Sequence, residues 1–506
     1  MIHVLLYCGD KMFKNKYMQL LFLLFALVLQ PQAQDLSQKI DLPTAISSAL
    51  KNHPKIKQME TALLQKENGK TDAFGNYLPK INLGYSFTHI NDPISIDLNP
   101  IREAMITLQS KNQTEFANIY TILGGQAPLT DAQKLALSQK YAGQLNALLP
   151  EFKSTLKKQD YWTATITGVQ PLFTGGKIIA ANNAAEIEWQ IAGLEVNRVK
   201  NEITAEVTGN YLTVVFLSEL VNVRKDILAG MKKHEERTGK MLAEGLIANY
   251  NHLRAKVAVS DAERNLFDDT KKLELALLAL KNSMAIDEKT EITVSDTLLF
   301  FSISEDSEYF HRLASENNSV LKLIELKKKL SEEKIALERS KFMPVIAAFG
   351  KYELYPEYLS AIEPRWAVGV SLNLNLFNGM QDYANLQNSK LLNKEIGYIE
   401  QDATSKIRLL VNKDYSSVLN SAERFEKGSA SIELAKENLR LNIKRFETGL
   451  GTSLEVVDAE LMLEKSEIEL KTSLYEYYKN YNLLLLSAGK PGDFLKIWSK
   501  SEEVIK

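Results

Sequence analysis

Cysteine is almost missing from this chain: one occurs among 506 residues, at Cys8. If the segment around Cys8 is a leader that is removed, what remains can form neither a disulfide nor a thiolate site. Histidine is nearly as scarce, with six scattered along the sequence. No HExxH, no GxSxG, no phosphate-binding glycine loop and no metal-spaced cluster occurs. His234 and His252 come closest to a pair, but they lack a ligand constellation and read as solvated helix residues. A surplus of one charge is absent too. The 61 basic and 63 acidic residues leave a net charge of −2, which gives no electrostatic footprint for a nucleic-acid partner. Beyond the first thirty residues no apolar run approaches the ~20 residues of a membrane helix. These absences remove the disulfide scaffold and the helical membrane protein. No catalytic activity, cofactor or bound metal is expected from what is left.

The amino-terminal end has an address. Lys11, Lys14 and Lys16 precede the apolar run Met18 to Leu29, and Pro31-Gln-Ala33 follows. A basic region, a short apolar region and a small residue near the cut define a secretory signal, expected over 1–33. Met12 is an alternative start.

What the chain does have is alternation beside very long helices. Trp366, Val368, Val370, Leu372, Leu374 and Leu376 alternate with Ala367, Gly369, Ser371, Asn373 and Asn375. That is a strand with one apolar and one small or polar face. It is slightly longer than the roughly 9–11 residues needed to cross a bilayer on a tilt. After the turn Asn378-Gly379, a proline-free stretch rich in Ala, Leu, Glu and Lys runs from about Asp382 to Phe446, the composition of one long helix.

The arrangement occurs twice. Trp162 is matched by Trp366, 204 residues on, and Phe173 by Phe377, Gly175 by Gly379, Gly245 by Gly449 and Ser283 by Ser487 at the same shift. Upstream, the segment from His53 resembles that from Ser319, with Pro79 matched by Pro344 at a shift of 265. The difference is an insertion between the two strands of the first half. The expected fold is therefore mixed α and β, mainly α, with a duplicated helix–strand–strand–helix–helix plan. The first repeat covers 38–288, with strands near 81–89 and 161–173, an inserted loop at 91–160, and helices near 177–240 and 250–283. A linking segment, 289–311, is expected as a short strand and turn outside the bundle. The second repeat covers 312–489, with strands near 345–355 and 366–377 and helices near 382–446 and 453–487. The tail, 490–506, carries no strong signal.

A helix from Lys177 to Lys240 is on the order of 95 Å long at 1.5 Å per residue. No single globular core needs that, so it must lie along partner helices. The insertion has helix-like stretches at Arg102–Tyr120 and Leu129–Leu149. It reads either as an elaborated cap at a pore mouth or as a tolerated surface loop. Four strands cannot close a barrel, and unpaired edges cost several kcal/mol per backbone group in lipid. Two copies would give eight strands and a filled interior; three would give twelve and a lumen. Association is required. Lys351, Glu353, Asn373 and Asn375 suit water, while Ile346, Ala348, Tyr352 and Val368 to Leu376 suit lipid. Trp162 and Trp366 fall at strand ends, where aromatic girdles belong.

The duplicated plan, the LFTGG and LFNG junctions and the two glycine turns resemble the TolC-like outer membrane efflux proteins. The resemblance covers about residues 38 to 489. It implies a homotrimer with a twelve-stranded barrel in the outer membrane of a Gram-negative bacterium and an α-helical tunnel through the periplasm. It implies an exit duct reached through a periplasmic adaptor from an inner-membrane RND or ABC pump. It also places the turns at Gly245 and at Gly449, Gly451 and Thr452 at the periplasmic tip. Glu455 and Asp458, three apart on one helix face, match positions where the family carries acids around the tip constriction. Three copies would make a ring of six carboxylates favouring cations. The alternative is that both acids complement a helix dipole. The family's basic partner would fall on Gly451, so a salt-bridge latch departs from the pattern here, as does the long first loop. A protein-secretion duct and a soluble periplasmic coiled-coil scaffold are the competing functions. Only the channel accounts for alternating strands with boundary aromatics in both halves.

Overall fold

The computed structural model describes residues 38–503, except 295 and 361; the expected signal at 1–33 lies outside the described residues. The chain is mainly helical. It opens with β1 (Gln38–Lys39), α1 (Leu42–Asn52) and α2 (Pro54–Gly75), followed by β2 (Lys80–His89). The insertion comprises β3 (Ile94–Asp97), α3 (Asn99–Leu123), α4 (Asp131–Leu148) and β4 (Lys153–Lys157). β5 (Asp160–Phe173), α5 (Lys177–Ala243) and α6 (Asn249–Ser283) complete the first half. After β6 (Ile292–Thr293) come α7 (Ser307–Asn317), α8 (Ser319–Ser340), β7 (Val345–Glu353) and β8 (Trp366–Asn373). The chain ends with α9 (Gln381–Glu447), α10 (Ser453–Ser487) and α11 (Phe494–Glu503).

Corresponding helices have equal lengths. α1 and α7 have 11 residues each, α2 and α8 22, α5 and α9 67, and α6 and α10 35. The same capping chemistry recurs. Asp41 and Asp306 each accept a backbone N–H three residues on, from Thr44 and Tyr309, satisfying one orphan donor of the helix that follows.

Internal contacts divide the chain into two units. One contains Leu64–Ile191 and Glu325–Tyr398 and holds a four-stranded antiparallel sheet in the order β2-β5-β7-β8. Its register puts Tyr85, Ala164 and Leu83, Ile166, Tyr352 and Trp366 on one face. Ser86, Thr163, Thr165, Glu353 and Lys351 fall on the other. Phe349 also lies on this second face, where its ring covers Gly369; a Cβ there would come within 2.7 Å of it. Pro171 sits in β5 beyond Val169, the last residue paired with β2, so its missing N–H leaves no β2 acceptor empty. β8 ends at Asn373, short of the expected 377. The ladder stops there because Asn373 pairs with Val345, the first residue of β7; beyond it Gly379 and Met380 turn the chain through positive φ before α9.

The other unit gathers the chain up to Leu63 with Ala192–Ile324 and Ile399 onward. Its core packs Leu42 and Ala45 of α1 with Val207, Tyr211 and Leu212 of α5 and Tyr477, Tyr478 and Leu484 of α10. β1 and β6 form a short parallel ladder beside it. The linking segment is not peripheral: Leu298 is buried, and Phe300 and Phe301 pack against Tyr477. α7 begins at Ser307, inside the segment expected to be a linker. The tail also contributes, because α11 buries Phe494 and Trp498 against Tyr478. Its apolar residues recur four apart on one face, a period too short-lived to stand out in ten residues.

Candidate functional site

Two turns join the long helices, and both are Schellman caps. At the first, Leu246 N donates to Met241 O (2.8 Å) and Gly245 N to Leu242 O (3.0 Å). At the second, Leu450 N donates to Arg445 O (2.9 Å) and Gly449 N to Phe446 O (3.2 Å). Gly245 and Gly449 have φ of 73° and 75°, a region that charges any residue with a Cβ. The turns then differ. Thr452 opens α10 with a capping box: Glu455 N donates to Thr452 Oγ1 (3.3 Å), and Thr452 N donates to Glu455 Oε2 (2.9 Å). Ala248, opening α6, has no side-chain cap. Gly451 is tightly surrounded: a Cβ would sit 3.0 Å from Glu455 Oε2 and 3.1 Å from Phe446 N, so a larger residue would make these neighbours give by a few tenths of an ångström. Glu455 is thus engaged by its own helix end and lies 3.8 Å from Arg445. Asp458, one turn on, is exposed and borders a cleft lined by Arg254, Asp261 and Leu461.

Behind these turns the helices are knitted by polar groups. His234 on α5 is buried; its Nε2 lies 2.8 Å from Ser453 Oγ, and its ring packs on Phe446. Burial, reinforced by the charge of Arg237, pushes its imidazole down to about 4, so it is neutral at ordinary pH. His252 lies 3.2 Å from Thr238 Oγ1. Neither histidine is the solvated helix residue expected from the sequence. Both face neighbouring helices, and for His234 the partner that reveals it, Ser453, is 219 residues away.

Deeper along α10, Glu464 and Asp269 of α6 flank Arg224 of α5. Arg224 Nε bonds Asp269 Oδ2 at 2.7 Å, and Arg224 also pairs with Glu464. Lys272 reaches Asp269 Oδ1 at 2.7 Å. Burial alone would raise Asp269, but the bonds from Lys272 and Arg224 outweigh it and hold its carboxyl below the usual range. One turn away Glu460, 8% exposed, fills the notch left by Gly230; a Cβ on that glycine would meet its Oε1 at 1.9 Å. None of these acids is singled out by the sequence reading. The available signal was their spacing, since Glu460 and Glu464 continue the stripe of Ser453, Val456 and Val457 in steps of three and four.

Burial, then the charge of Glu464, pushes Glu460 up to about 7 from 4.5. A carboxyl with a raised folded value favours the fold when neutral. That contribution is complete at pH 4.5 and below and is lost as pH rises to about 7. Above pH 7 the buried charge costs about 3 kcal/mol. Glu460→Gln is therefore expected to raise thermal stability at pH 8 and to change little at pH 4. Melting in detergent at the two pH values measures this.

The remaining candidate residues belong to the unit that holds the sheet. Trp162 stacks on Tyr85 (5.2 Å) and contacts Phe87 (4.7 Å), while Trp366 pairs with Tyr352 across the ladder. Both tryptophans lie on the apolar face near the loop end of the sheet. Phe173 and Phe377 are exposed beside the strand-to-helix turns. Gly175 (φ 61°) and Gly379 (φ 54°) shape those turns. At Gly175 a Cβ would lie 2.3 Å from Met343 Cβ. Among the described residues no group of three or more His, Cys, Asp or Glu could hold a metal. No described helix is long and apolar enough to cross a membrane.

The fold has solved relatives. The outer membrane protein VceC from Vibrio cholerae is 16% identical with a TM-score of 0.68, over 89% of this chain and 96% of that one. The CmeC outer membrane channel of Campylobacter jejuni is 14% identical with a TM-score of 0.66, over 91% and 88%. The open-state MtrE outer membrane channel of Neisseria gonorrhoeae is 15% identical with a TM-score of 0.65, over 89% of each chain. No curated protein matches the sequence. The sequence profile described as outer membrane efflux protein matches residues 45–285 and 311–490, so the chain belongs to the outer membrane efflux protein family.

Proposed function

We propose that three copies form a passive exit duct through the outer membrane and periplasm, fed by an inner-membrane RND or ABC pump through a periplasmic adaptor. The observation that carries this is the sheet. Its apolar face is bare: Ile81 is 72% exposed, Leu83 68%, Val368 74% and Leu372 66%. Its outer strands, β2 and β8, each have one unpaired edge. Lipid answers the first and strands of further copies the second. Twelve strands then enclose a lumen lined by the face of Thr163, Thr165, Lys351 and Asn373, with Trp162 and Trp366 in the girdle. The paired helix lengths and twin caps support descent from a duplicated unit, and a secretory signal at 1–33 would deliver the chain.

At the turns, Glu455 serves its helix end, which leaves Asp458 as the acid that lines the constriction. Three copies place three exposed carboxylates there, a ring that favours cations. In planar bilayers the heat-modifiable trimer is expected to conduct with cation preference and to be blocked by multivalent cations. Asp458→Ala should lose most of that block, while Glu455→Ala costs about 1 kcal/mol of helix stability through its cap. A soluble, non-conducting protein would remove the duct. Conduction with unchanged cation preference and block in Asp458→Ala would remove only the ring.

A further inference from the structure

A cleft of about 420 Å³ opens between α5, α8 and α9, large enough for a small organic molecule. It lies close under the sheet, since Ala181 follows the end of β5 by eight residues and Leu337 precedes the start of β7 by eight. Ala181 and Ala184 of α5, Leu330 and Leu337 of α8, and Leu392 and Ile396 of α9 line it. Its rim is charged. Glu188 is paired with Lys66 (2.7 Å), and Glu333 accepts from Asn183 (3.2 Å). Lys327 and Lys334, seven residues apart on one face of α8, are exposed on the rim and have no ion pair among the described residues. An apolar floor beside two spare ammonium groups is complementary to an alkyl chain with a negative head.

Chirality decides which side of the helix layer this is. α2 runs into β2, β5 into α5, α8 into β7 and β8 into α9. The helices keep the order of the strands. Asn182 of α5 donates to Ala73 O of α2 (3.0 Å), Asn183 of α5 to Glu333 of α8, and Asn393 of α9 to Ser331 Oγ of α8 (2.6 Å). On β5 the residues of the apolar face turn their backbone groups toward β7, because Ala164 O accepts from Leu354 N (2.7 Å). For L-residues in an antiparallel ladder, that puts β7 on the left and β2 on the right when the apolar face is viewed with β5 pointing down. α8 then stands to the left of α5 and α2 to the right. On a right-handed helix running down, with Asn182 and Glu186 toward α2, Ile179 and Gln190 point to the viewer and Ala181 and Glu188 point away. The same construction from Ser331 on α8 and Asn393 on α9 turns Leu330, Lys334 and Leu392 away too. The cleft therefore opens on the side of the polar sheet face, the side proposed to line the lumen, and not toward lipid.

We propose that this cleft is a docking site on the inner wall of the duct for a single-chain amphipathic anion, a long-chain carboxylate. The alkyl chain covers Leu330, Leu337 and Leu392, and the carboxylate is drawn to Lys327 and Lys334. The inference rests on the trimeric duct proposed above and names a class of molecule that it takes. The test uses the full-chain trimer in a planar bilayer. Laurate, below its micelle concentration, is added on the sheet side, so that it need not pass the turns. Reversible interruptions of the current are expected, and dodecyltrimethylammonium at the same concentration should give none. Lys327→Gln with Lys334→Gln should weaken the laurate block about tenfold. Ala181→Cys, in a chain whose only native cysteine is replaced by Cys8→Ser, reports on the cleft directly. Laurate is expected to slow its reaction with a charged thiol reagent, and to leave Gln190→Cys on the opposite face unprotected. A conducting trimer that laurate neither blocks nor protects overturns the site and leaves the duct standing. A block unchanged by the lysine substitutions, or matched by dodecyltrimethylammonium, overturns the anionic ligand and with it the proposal. Protection of Gln190→Cys in place of Ala181→Cys overturns the inner-wall position and the proposal. A chain that forms no conducting trimer removes the duct, and the site on its wall falls with it.

Discussion

Arg224→Ala is expected to cost about 3–5 kcal/mol, because it strands the carboxylates of Asp269 and Glu464 in a buried site. The guanidinium is the shared partner of both acids. Lys272 reaches only Asp269, and from an exposed position. The loss is expected to be largest at neutral pH. Asp269 has a depressed folded value, so its paired contribution is present above the usual carboxylate range and disappears as pH falls through it. A triple variant, Arg224→Met with Asp269→Leu and Glu464→Leu, removes the cation and both acids together. Replacing a whole buried ion cluster with apolar groups is often neutral or stabilising, so this variant should melt near the parent. A triple variant as damaged as Arg224→Ala would mean that packing, not charge, dominates the site. Urea or thermal unfolding of the detergent-solubilised protein measures both.

Gly489→Ala carries the second large effect, and the chain contains its own control. α6 and α10 end in the same Schellman cap, with Ile286 N donating to Lys281 O (3.1 Å) and Lys490 N to Leu485 O (2.8 Å). The left-handed residue is Ala285 in the first (φ 53°) and Gly489 in the second (φ 79°). Alanine is tolerated at 285 for the ordinary left-handed cost of about 1–2 kcal/mol. At 489 a Cβ would also lie 2.6 Å from Asn317 C and O and 2.9 Å from Asn318 N, backbone atoms that cannot step aside. Gly489→Ala should therefore lose about 2–5 kcal/mol, the left-handed cost plus overpacking. Ala285→Gly should gain about 1 kcal/mol. Equal effects at the two sites would show that Asn317 yields.

The long helices were legible because composition and the 204-residue shift are properties of the chain itself. The shift recurs in the hydrogen bonds at Gly245 and Gly449. The alternating faces of Ile81–Phe87 and Trp366–Leu372 were legible for the same reason, since period two needs no partner to be read. The polar face was not fully legible: Phe349 has the parity of Lys351 but covers Gly369, a neighbour known only from the register. His234 and Glu460 escaped because each is defined by a group more than 200 residues away, Ser453 for the one and Gly230 for the other. The capping role of Glu455 was open to reading, as Thr452 and Glu455 have the spacing of a capping box. The resemblance drew attention to a different role for the same carboxylate.

The two-residue ladder between β1 and β6 has a consequence for assembly. Gln38 pairs with Ile292 and Lys39 with Thr293, while Tyr211 Oη donates to Ile40 O. The earliest described residues to leave the ribosome find their strand partner only after more than half the polypeptide has followed. Contacts so remote in sequence form slowly. Residues 38–40 are thus among the last of the described residues to be fastened, so a chain cut short before Ile292 would lack the strand that holds them.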